Sequence, residues 1–162
     1  NKAKSAVAKP SARKFLSFSF TGGSQPRRRI APQAIARFKA RVRELTRRTR
    51  GASLPQIVKE LSVYLIGWRG YFGFCQTPSV LRALDEQTRR RLRAIAWKQW
   101  KRGRTRYAEL RRRGVGRDLA ARTAGSPHGP WRLSNSPALA IALRTDFLRS
   151  LGLASIAIPQ PA

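Results

Sequence analysis

Basic side chains and aromatic rings alternate over one short stretch of the chain. Residues 98–107 read Lys-Gln-Trp-Lys-Arg-Gly-Arg-Thr-Arg-Tyr. Guanidinium and ammonium groups bind phosphates, and aromatic rings stack on bases, so this composition favours an RNA-binding surface. The same rings could instead anchor a core, because Trp97 and Trp100 are three residues apart and lie on nearly one side of a helix. The sequence leaves both interpretations open.

Residues suited to acid–base or metal chemistry are scarce. The chain holds seven Asp and Glu, one His and one Cys. We expect the acids to form intrahelical ion pairs, such as Glu44 with Arg48. The one adjacent pair, Asp85-Glu86, diverges by ~100° on a helix and makes no two-carboxylate site. Cys75 is expected to be a buried apolar residue. The sequence therefore predicts no catalytic residue, no metal site and no cofactor for this chain.

The charge balance points to a polyanionic partner. The net charge of +28 arises from 35 Lys and Arg against 7 acids. Self-repulsion on this scale opposes folding unless a polyanion neutralises it, and a nucleic acid is the obvious candidate. An anionic membrane is the alternative, but no segment is apolar for the length needed to span one. A single Cys fits a reducing, cytoplasmic location.

Two stretches concentrate the positive charge. Residues 27–50 hold ten Lys and Arg with one acid, and residues 82–117 hold fourteen with three acids. Runs of one sign favour phosphate binding over a merely solvated face, because each neutralised phosphate releases counterions. The predicted RNA-binding residues are Arg41, Arg47, Arg48, Arg90, Arg91, Lys98, Lys101, Arg102, Arg104 and Arg106.

Helical periodicity supplies the elements that position these residues. Pro32 opens a helix that we expect to end at Gly51, and Ser53 caps a second one. Gly67, Gly70 and Gly73 could either break this second helix or let another backbone approach, and the sequence does not decide. A third helix spans about residues 79–102. Short helices are predicted at residues 105–113, 117–124, 137–143 and 145–151, with a turn-rich loop at residues 126–131 and a loose end at residues 156–162.

The most apolar and aromatic stretch, residues 65–75, is predicted to be the packed centre of the bundle. Its side chains follow the stripe of the second helix and face the stripes of the other two. The predicted core residues are Phe38, Leu45, Leu61, Leu65, Trp68, Tyr71, Phe72 and Trp100.

A short β-strand is predicted before the helices. Apolar residues alternate with Ser between Phe15 and Phe20, and a turn follows. Residues 25–29 are expected to be a basic linker, so the strand's partners must come from elsewhere. Because the chain starts at Asn1 and contains no Met, we expect it to be a piece of a longer polypeptide. The predicted fold class is all-α, a small bundle of about three main helices with this strand and short C-terminal helices.

Several motifs resemble the maturase-specific region of group II intron-encoded proteins, also called domain X or the thumb. Residues 65–72, Leu-Ile-Gly-Trp-Arg-Gly-Tyr-Phe, are similar to its RGWxxYF-type segment, with Ile66 in place of an Arg. Residues 15–18, Phe-Leu-Ser-Phe, resemble the FLGF motif that closes the reverse transcriptase palm, with Ser17 replacing its Gly. The resemblance covers about residues 10–153, and further matches in the same order are residues 38–47, 76–78 and 97–101.

The resemblance implies a domain division and a partner. Residues 1–26 would be the end of a palm domain, residues 27–125 the thumb, and residues 126–162 a C-terminal loop with short helices. Family members bind their own intron RNA, hold it in its catalytic fold for splicing, and copy it as part of a mobile element. The implied partners are group II intron RNA and a template–primer duplex, with no membrane.

The resemblance does not imply an enzyme in this chain alone. The Tyr-Ala-Asp-Asp metal motif of the polymerase does not occur here, and one His and one Cys leave no HNH endonuclease. Mg²⁺ would be expected only with the missing polymerase domain. The main hypothesis is an RNA-binding maturase module. One alternative is the C-terminal part of an active group II intron reverse transcriptase, and another is a basic nucleic-acid binder without intron specificity.

Overall fold

The computed structural model describes residues 16–157, so Phe15, where the predicted strand begins, lies outside this range. The described residues form eight α-helices, three of them long, and one two-stranded sheet. The prediction of a small, mostly helical bundle is confirmed. In chain order the elements are β1 (Phe18–Phe20), β2 (Arg28–Ile30), α1 (Pro32–Leu45), α2 (Leu54–Phe72), α3 (Pro78–Gln99), α4 (Gly103–Arg112), α5 (Arg117–Ala124), α6 (Pro130–Leu133), α7 (Pro137–Ala142) and α8 (Thr145–Ser150).

The sheet pairs two strands that are close in sequence. β1 runs antiparallel to β2, with Phe18 opposite Ile30. The predicted linker at residues 25–29 is therefore wrong, and so is the expectation that β1 is paired by a segment from elsewhere. The ladder continues at Thr21, whose amide donates a hydrogen bond to the Arg27 carbonyl (2.9 Å). The sequence gives no clear signal for β2, because the strand has only three residues, and two of them are arginines.

The sheet is hydrogen bonded to the end of α2 and the loop behind it. The Gln76 amide donates to the Arg28 carbonyl (2.8 Å), and the Tyr71 hydroxyl donates to the Leu16 carbonyl (2.7 Å). Tyr71 is 46% exposed, which corrects its prediction as a core residue, because its hydroxyl reaches outward to this segment. Leu45 is half-buried, and the other predicted core residues are buried: Phe38, Leu61, Leu65, Trp68, Phe72 and Trp100.

α1 ends five residues before the predicted stop. Thr46, and not Gly51, follows its last turn, and the Thr46 hydroxyl donates to the Val42 carbonyl (2.5 Å). Arg50 then donates to the Leu45 carbonyl (2.8 Å), so one of the unpaired acceptors at the helix end is satisfied by a side chain. Gly51 lies in the following loop with φ of +71°, a conformation that favours glycine.

α2 is the most apolar helix and continues through its glycines. Ser53 caps its first turn by accepting a hydrogen bond from a backbone amide, and Leu61 and Leu65 are fully buried. Gly67 and Gly70 face solvent, and no atom lies within 4 Å of a side chain built on either one. Within the described residues, Gly67 and Gly70 therefore neither break the helix nor allow a backbone to approach closely, whereas Gly73 is the cap residue at which α2 ends.

α3 packs against other helices on more than one side. Residues on most of its sides are therefore buried. Thr88, which interrupts the apolar pattern, is buried and donates its hydroxyl hydrogen to the Leu84 carbonyl (2.8 Å). This local bond is why a polar residue continues the packed face. The helix ends at Gln99, with Trp100 as the following cap residue, rather than at the predicted residue 102.

The C-terminal helices pack against one another and against α3. α4 and α5 form a hairpin, α7 lies against both, and α6 lies against α3. α6 begins within the predicted loop and runs beyond it, because Pro130 suits a first helical turn and Leu133 can be buried. A single hydrophobic core runs from Phe18 to Ile156 and includes residues from each of the three predicted sequence segments.

The last described residues, 152–157, form a strap across α2 and α3. The Ser62 hydroxyl donates to the Gly152 carbonyl (2.7 Å) and accepts from the Ala154 amide (3.1 Å). The Asp85 carboxylate accepts hydrogen bonds from the Ser155 hydroxyl and the Ile156 amide. Asp85 is thus a buried acceptor and not part of an intrahelical ion pair, and residues 156 and 157 are not a loose end.

Candidate nucleic-acid interface

Four predicted RNA-binding residues meet in one concave site between α1 and α3. We call this site the basic recess. It has a volume of about 280 Å³, which suits a small group such as part of a nucleic-acid backbone. Its lining residues are Arg47, Arg48, Gly51, Ala52, Ile57, Ile95, Lys98, Gln99 and Lys101.

Local structure explains how two distant segments meet there. Arg47 and Arg48 follow the last turn of α1, and Lys98 lies in the last turn of α3. The Gln99 side-chain amide donates to the Ala52 carbonyl (2.9 Å), which holds the loop after α1 against the end of α3. Sequence reasoning missed this contact, since a glutamine among basic residues gives no signal of its partner.

The charge in the basic recess has one sign. No acid lines it, and the nearest acids along the chain are paired with other arginines. Glu44 binds Arg41 (2.8 Å) rather than the predicted Arg48, and Glu60 binds Arg50 (2.6 Å). The hydrogen bond from Arg41 lowers the pKa of Glu44, and the hydrogen bond from Arg50 lowers the pKa of Glu60.

Arg91 holds together the two segments that form the basic recess. Its Nε donates to the Thr46 hydroxyl (2.5 Å) and its Nη2 to the Arg43 carbonyl (3.4 Å). Burial lowers the pKa of Arg91, and repulsion from Arg43 and then Arg48 lowers it further. Arg91 therefore connects α3 to the end of α1, and its guanidinium is half-buried.

Arg90 and Arg106 lie over aromatic rings of the protein itself. The Arg90 guanidinium is 4.1 Å from the Trp131 ring centre, and its Nε donates to the Ser134 hydroxyl (3.4 Å). The Arg106 guanidinium is 4.6 Å from the ring centre of Trp97, and its Nε donates to a backbone carbonyl. Cation–π contacts and hydrogen bonds of this kind tie both side chains to the fold.

Trp97 and Trp100 belong to the core. Trp97 is 0% exposed and Trp100 is 8% exposed, with their rings 6.2 Å apart. This decides the question that the sequence left open, because buried rings cannot stack on bases. The ten predicted residues therefore fall into three groups. Arg47, Arg48, Lys98 and Lys101 line the recess, Arg102 and Arg104 are exposed at the start of α4, and Arg41, Arg90, Arg91 and Arg106 bind other parts of the protein.

Two other kinds of site are absent from residues 16–157. No group of three or more His, Cys, Asp and Glu that could hold a metal ion occurs among them. No helix in this part of the chain is long and apolar enough to cross a membrane. Cys75 is buried, and His128 is exposed in the loop before α6.

The fold and this surface define the molecule as a basic helical domain with a concave cationic site. Residues 35–114, from α1 to just beyond α4, match the family model of the group II intron maturase-specific domain. The chain therefore carries a maturase-specific domain, and the resemblance seen in its motifs is confirmed. No curated protein matches the sequence.

Proposed function

We propose that this chain binds group II intron RNA through the basic recess and stabilises the folded RNA for splicing. The observation that carries the proposal is the meeting of four cations from two distant segments, at the end of α1 and the end of α3, with no acid in the lining. The recess lies within the residues that match the maturase-specific domain. Arg102 and Arg104, exposed nearby in sequence, would extend the contact.

The mechanism is electrostatic. A folded RNA brings phosphates close together, and their repulsion opposes compaction. Arginine can bind a phosphate with two parallel hydrogen bonds, and lysine acts as a compact charge, so the recess can neutralise neighbouring phosphates. Binding releases counterions and favours the compact RNA. The RNA then performs its own splicing chemistry, for which the protein supplies a scaffold.

Two matched variants test the proposal. The first changes Arg47, Arg48, Lys98 and Lys101 to Gln. The second changes four arginines outside the recess to Gln, namely Arg117, Arg122, Arg132 and Arg144, which are also exposed. At ~1 kcal/mol for each charge-assisted contact, the recess variant should lose roughly a thousandfold in affinity for intron RNA. The control should lose far less. An equal loss would show that only net charge matters, and would contradict the proposal.

A competition experiment tests intron specificity at near-physiological salt. The labelled ligand is intron RNA, and the competitors are unrelated structured RNA and an RNA/DNA template–primer duplex. We expect unrelated RNA to compete weakly. Equal competition would favour a basic binder without intron specificity. We also propose that the recess supports a template–primer, since that duplex presents the same phosphates, and the recess variant should then lose affinity for it as well.

A further inference from the structure

A second basic cleft lies on the other side of α3. We call it the α3–α8 cleft. It is built from three parts of the chain: α3, α8 and the strap. Its volume is about 340 Å³. Its lining residues are Arg82, Asp85, Thr88, Arg89, Thr145, Arg149, Leu153, Ala154, Ser155 and Ala157.

Helix geometry separates this cleft from the basic recess. Arg82 and Arg89 are seven residues apart, or about two turns, so they lie on the same side of α3. Lys98, which lines the recess, is nine residues beyond Arg89. At ~100° per residue that is about two and a half turns, which places Lys98 on the opposite side of the helix. The two basic sites therefore flank α3.

Guanidinium groups dominate the charge of the cleft. Arg82 is exposed, Arg89 is half-buried, and Arg149 lies 3.7 Å from Asp146, whose side chain is 82% exposed. An ion pair that is so open to water is weak, and a more strongly bound anion can replace the carboxylate. Three guanidiniums around one concavity make a site for a phosphate group.

The acid in the lining is already engaged. Asp85 is 5% exposed, and its carboxylate accepts hydrogen bonds from the Ser155 hydroxyl and from the Ile156 (3.0 Å) and Ala157 (3.1 Å) amides. These donors offset its charge and hold the strap that forms one wall. Asp85 therefore shapes the cleft, and the arginines at its rim remain positioned for an anion.

The floor of the cleft indicates more than a free phosphate. Leu153, Ala154 and Ala157 give it an apolar surface, and the volume is several times that of a phosphate group. An apolar floor with charged groups at the rim is the usual composition of a small-ligand site. A nucleotide of a nucleic-acid strand fits both parts, with its phosphate at the guanidiniums and its sugar or base on the floor.

We propose that the α3–α8 cleft binds a nucleotide of a second RNA segment, so that this chain bridges two RNA segments across α3. The proposal rests on the proposed function, since the first segment is the one held in the basic recess. It also gives the residues beyond the matched domain a role, because α8 and the strap lie outside residues 35–114.

The test uses the full chain and residue-resolved NMR. The probe is pentauridylate, a short single strand with phosphodiester groups, and inorganic phosphate is a second probe. Pentauridylate should shift the signals of Thr88, Ser155 and the Arg149 Nε–H, with a Kd of roughly 10⁻⁴ M. In an R82Q/R89Q variant, the affinity for pentauridylate obtained from these shifts should fall at least tenfold. An R117Q/R122Q variant, with the same loss of charge on α5, should keep them.

The outcomes separate this proposal from the function proposed above. If pentauridylate leaves these signals unchanged, the cleft proposal is wrong, whatever happens at the recess. If inorganic phosphate shifts them and pentauridylate does not, the cleft is a free-anion site and the proposal of an RNA strand is wrong. The cleft shifts should persist in the recess variant. Loss of intron RNA binding in the recess variant, by contrast, tests only the basic recess.

Discussion

The basic recess and the C-terminal helices use the same kind of residue in opposite ways. In the recess, four cations line a concave surface without an acid or an aromatic ring. Where α3 meets the C-terminal helices, arginines lie over rings of the protein. Arg90 faces Trp131, Arg106 faces Trp97, and Arg113 faces Phe147 at 4.8 Å and Trp100 at 5.4 Å. A charge of +28 is therefore not uniformly available to a ligand.

The difference has a simple physical basis. A guanidinium over a ring gains ~1–2 kcal/mol where water is partly excluded, and it loses the freedom to follow a phosphate. Burial lowers the pKa of Arg113, which reflects this partial removal from water. Where no ring or acid is near, as in the recess, the cation keeps its binding capacity. Local partners, and not charge density, decide which arginines remain able to bind an anion.

The largest effect on stability is expected on the C-terminal side. Asp85→Ala removes a carboxylate that binds the strap and leaves two backbone amides without their acceptor. The free energy of unfolding should fall by about 3 kcal/mol, as measured by denaturant titration. Affinity for intron RNA, measured well below the melting temperature, should fall much less than in the recess variant, because only the wall of the α3–α8 cleft is disturbed and the basic recess is intact. Glu86→Ala, an exposed neighbour, is the control. A loss of RNA affinity equal to that of the recess variant would show that the two regions are not independent.

The arginine–aromatic contacts give the next effect. An R106Q/R113Q variant should lose about 2 kcal/mol of stability, because three cation–π contacts and a hydrogen bond disappear. R117Q/R122Q removes the same charge from exposed sites and should lose less than ~0.5 kcal/mol. Thermal melts compare the two. Equal melting temperatures would mean that these arginines do not stabilise the fold, which would contradict the distinction between structural and exposed cations.

A single recess residue should show the reverse pattern. Lys98→Gln should weaken intron RNA binding by about fivefold, equivalent to ~1 kcal/mol, and leave the melting temperature unchanged. Lys59→Gln on the exposed side of α2 is the matched control and should bind normally. A Lys98→Gln protein that is unstable but binds with full affinity would place Lys98 with the structural cations.

The smallest effect concerns Glu60, one of the two acids that are near the recess lining along the chain. Arg50 lowers the pKa of Glu60, so this pair stabilises the fold above the ordinary pKa of glutamate, ~4.3, and the contribution is lost as the pH falls below it. Glu60→Gln should remove that part of the acid dependence of melting. It should also release Arg50 and raise RNA affinity by no more than about twofold. Melting curves of both proteins between pH 3 and pH 6 check the sign, and identical pH profiles would refute the pairing.

Much of the helical fold could be predicted from the sequence. Apolar stripes and cap residues such as Ser53 and Pro32 mark the three long helices and several short ones, because those signals are local. The pairing of β1 with β2 could not be predicted, since it depends on tertiary contacts at the end of α2. The buried role of Asp85 was also hidden, because its partners lie seventy residues later in the strap.

The candidate site could be predicted only in part. Charge runs identify the right stretches, and four of the ten chosen residues meet in the recess. The sequence cannot show that Arg90 and Arg106 face tryptophans of the protein, because those contacts depend on how α4 and α6 pack on α3. The same limit applies to Arg82 and Arg89. Only the strap and α8 turn that side of α3 into a cleft.

The salt dependence of intron RNA binding tests the central claim most directly. The slope of log K against log salt concentration counts the phosphates that the protein neutralises, at ~0.7–0.9 per contact. The variant with Arg47, Arg48, Lys98 and Lys101 changed to Gln should have a slope about three smaller in magnitude than the wild type. The R117Q/R122Q/R132Q/R144Q control should keep the wild-type slope within about one. If the recess variant kept the wild-type slope, the basic recess would not be the RNA contact.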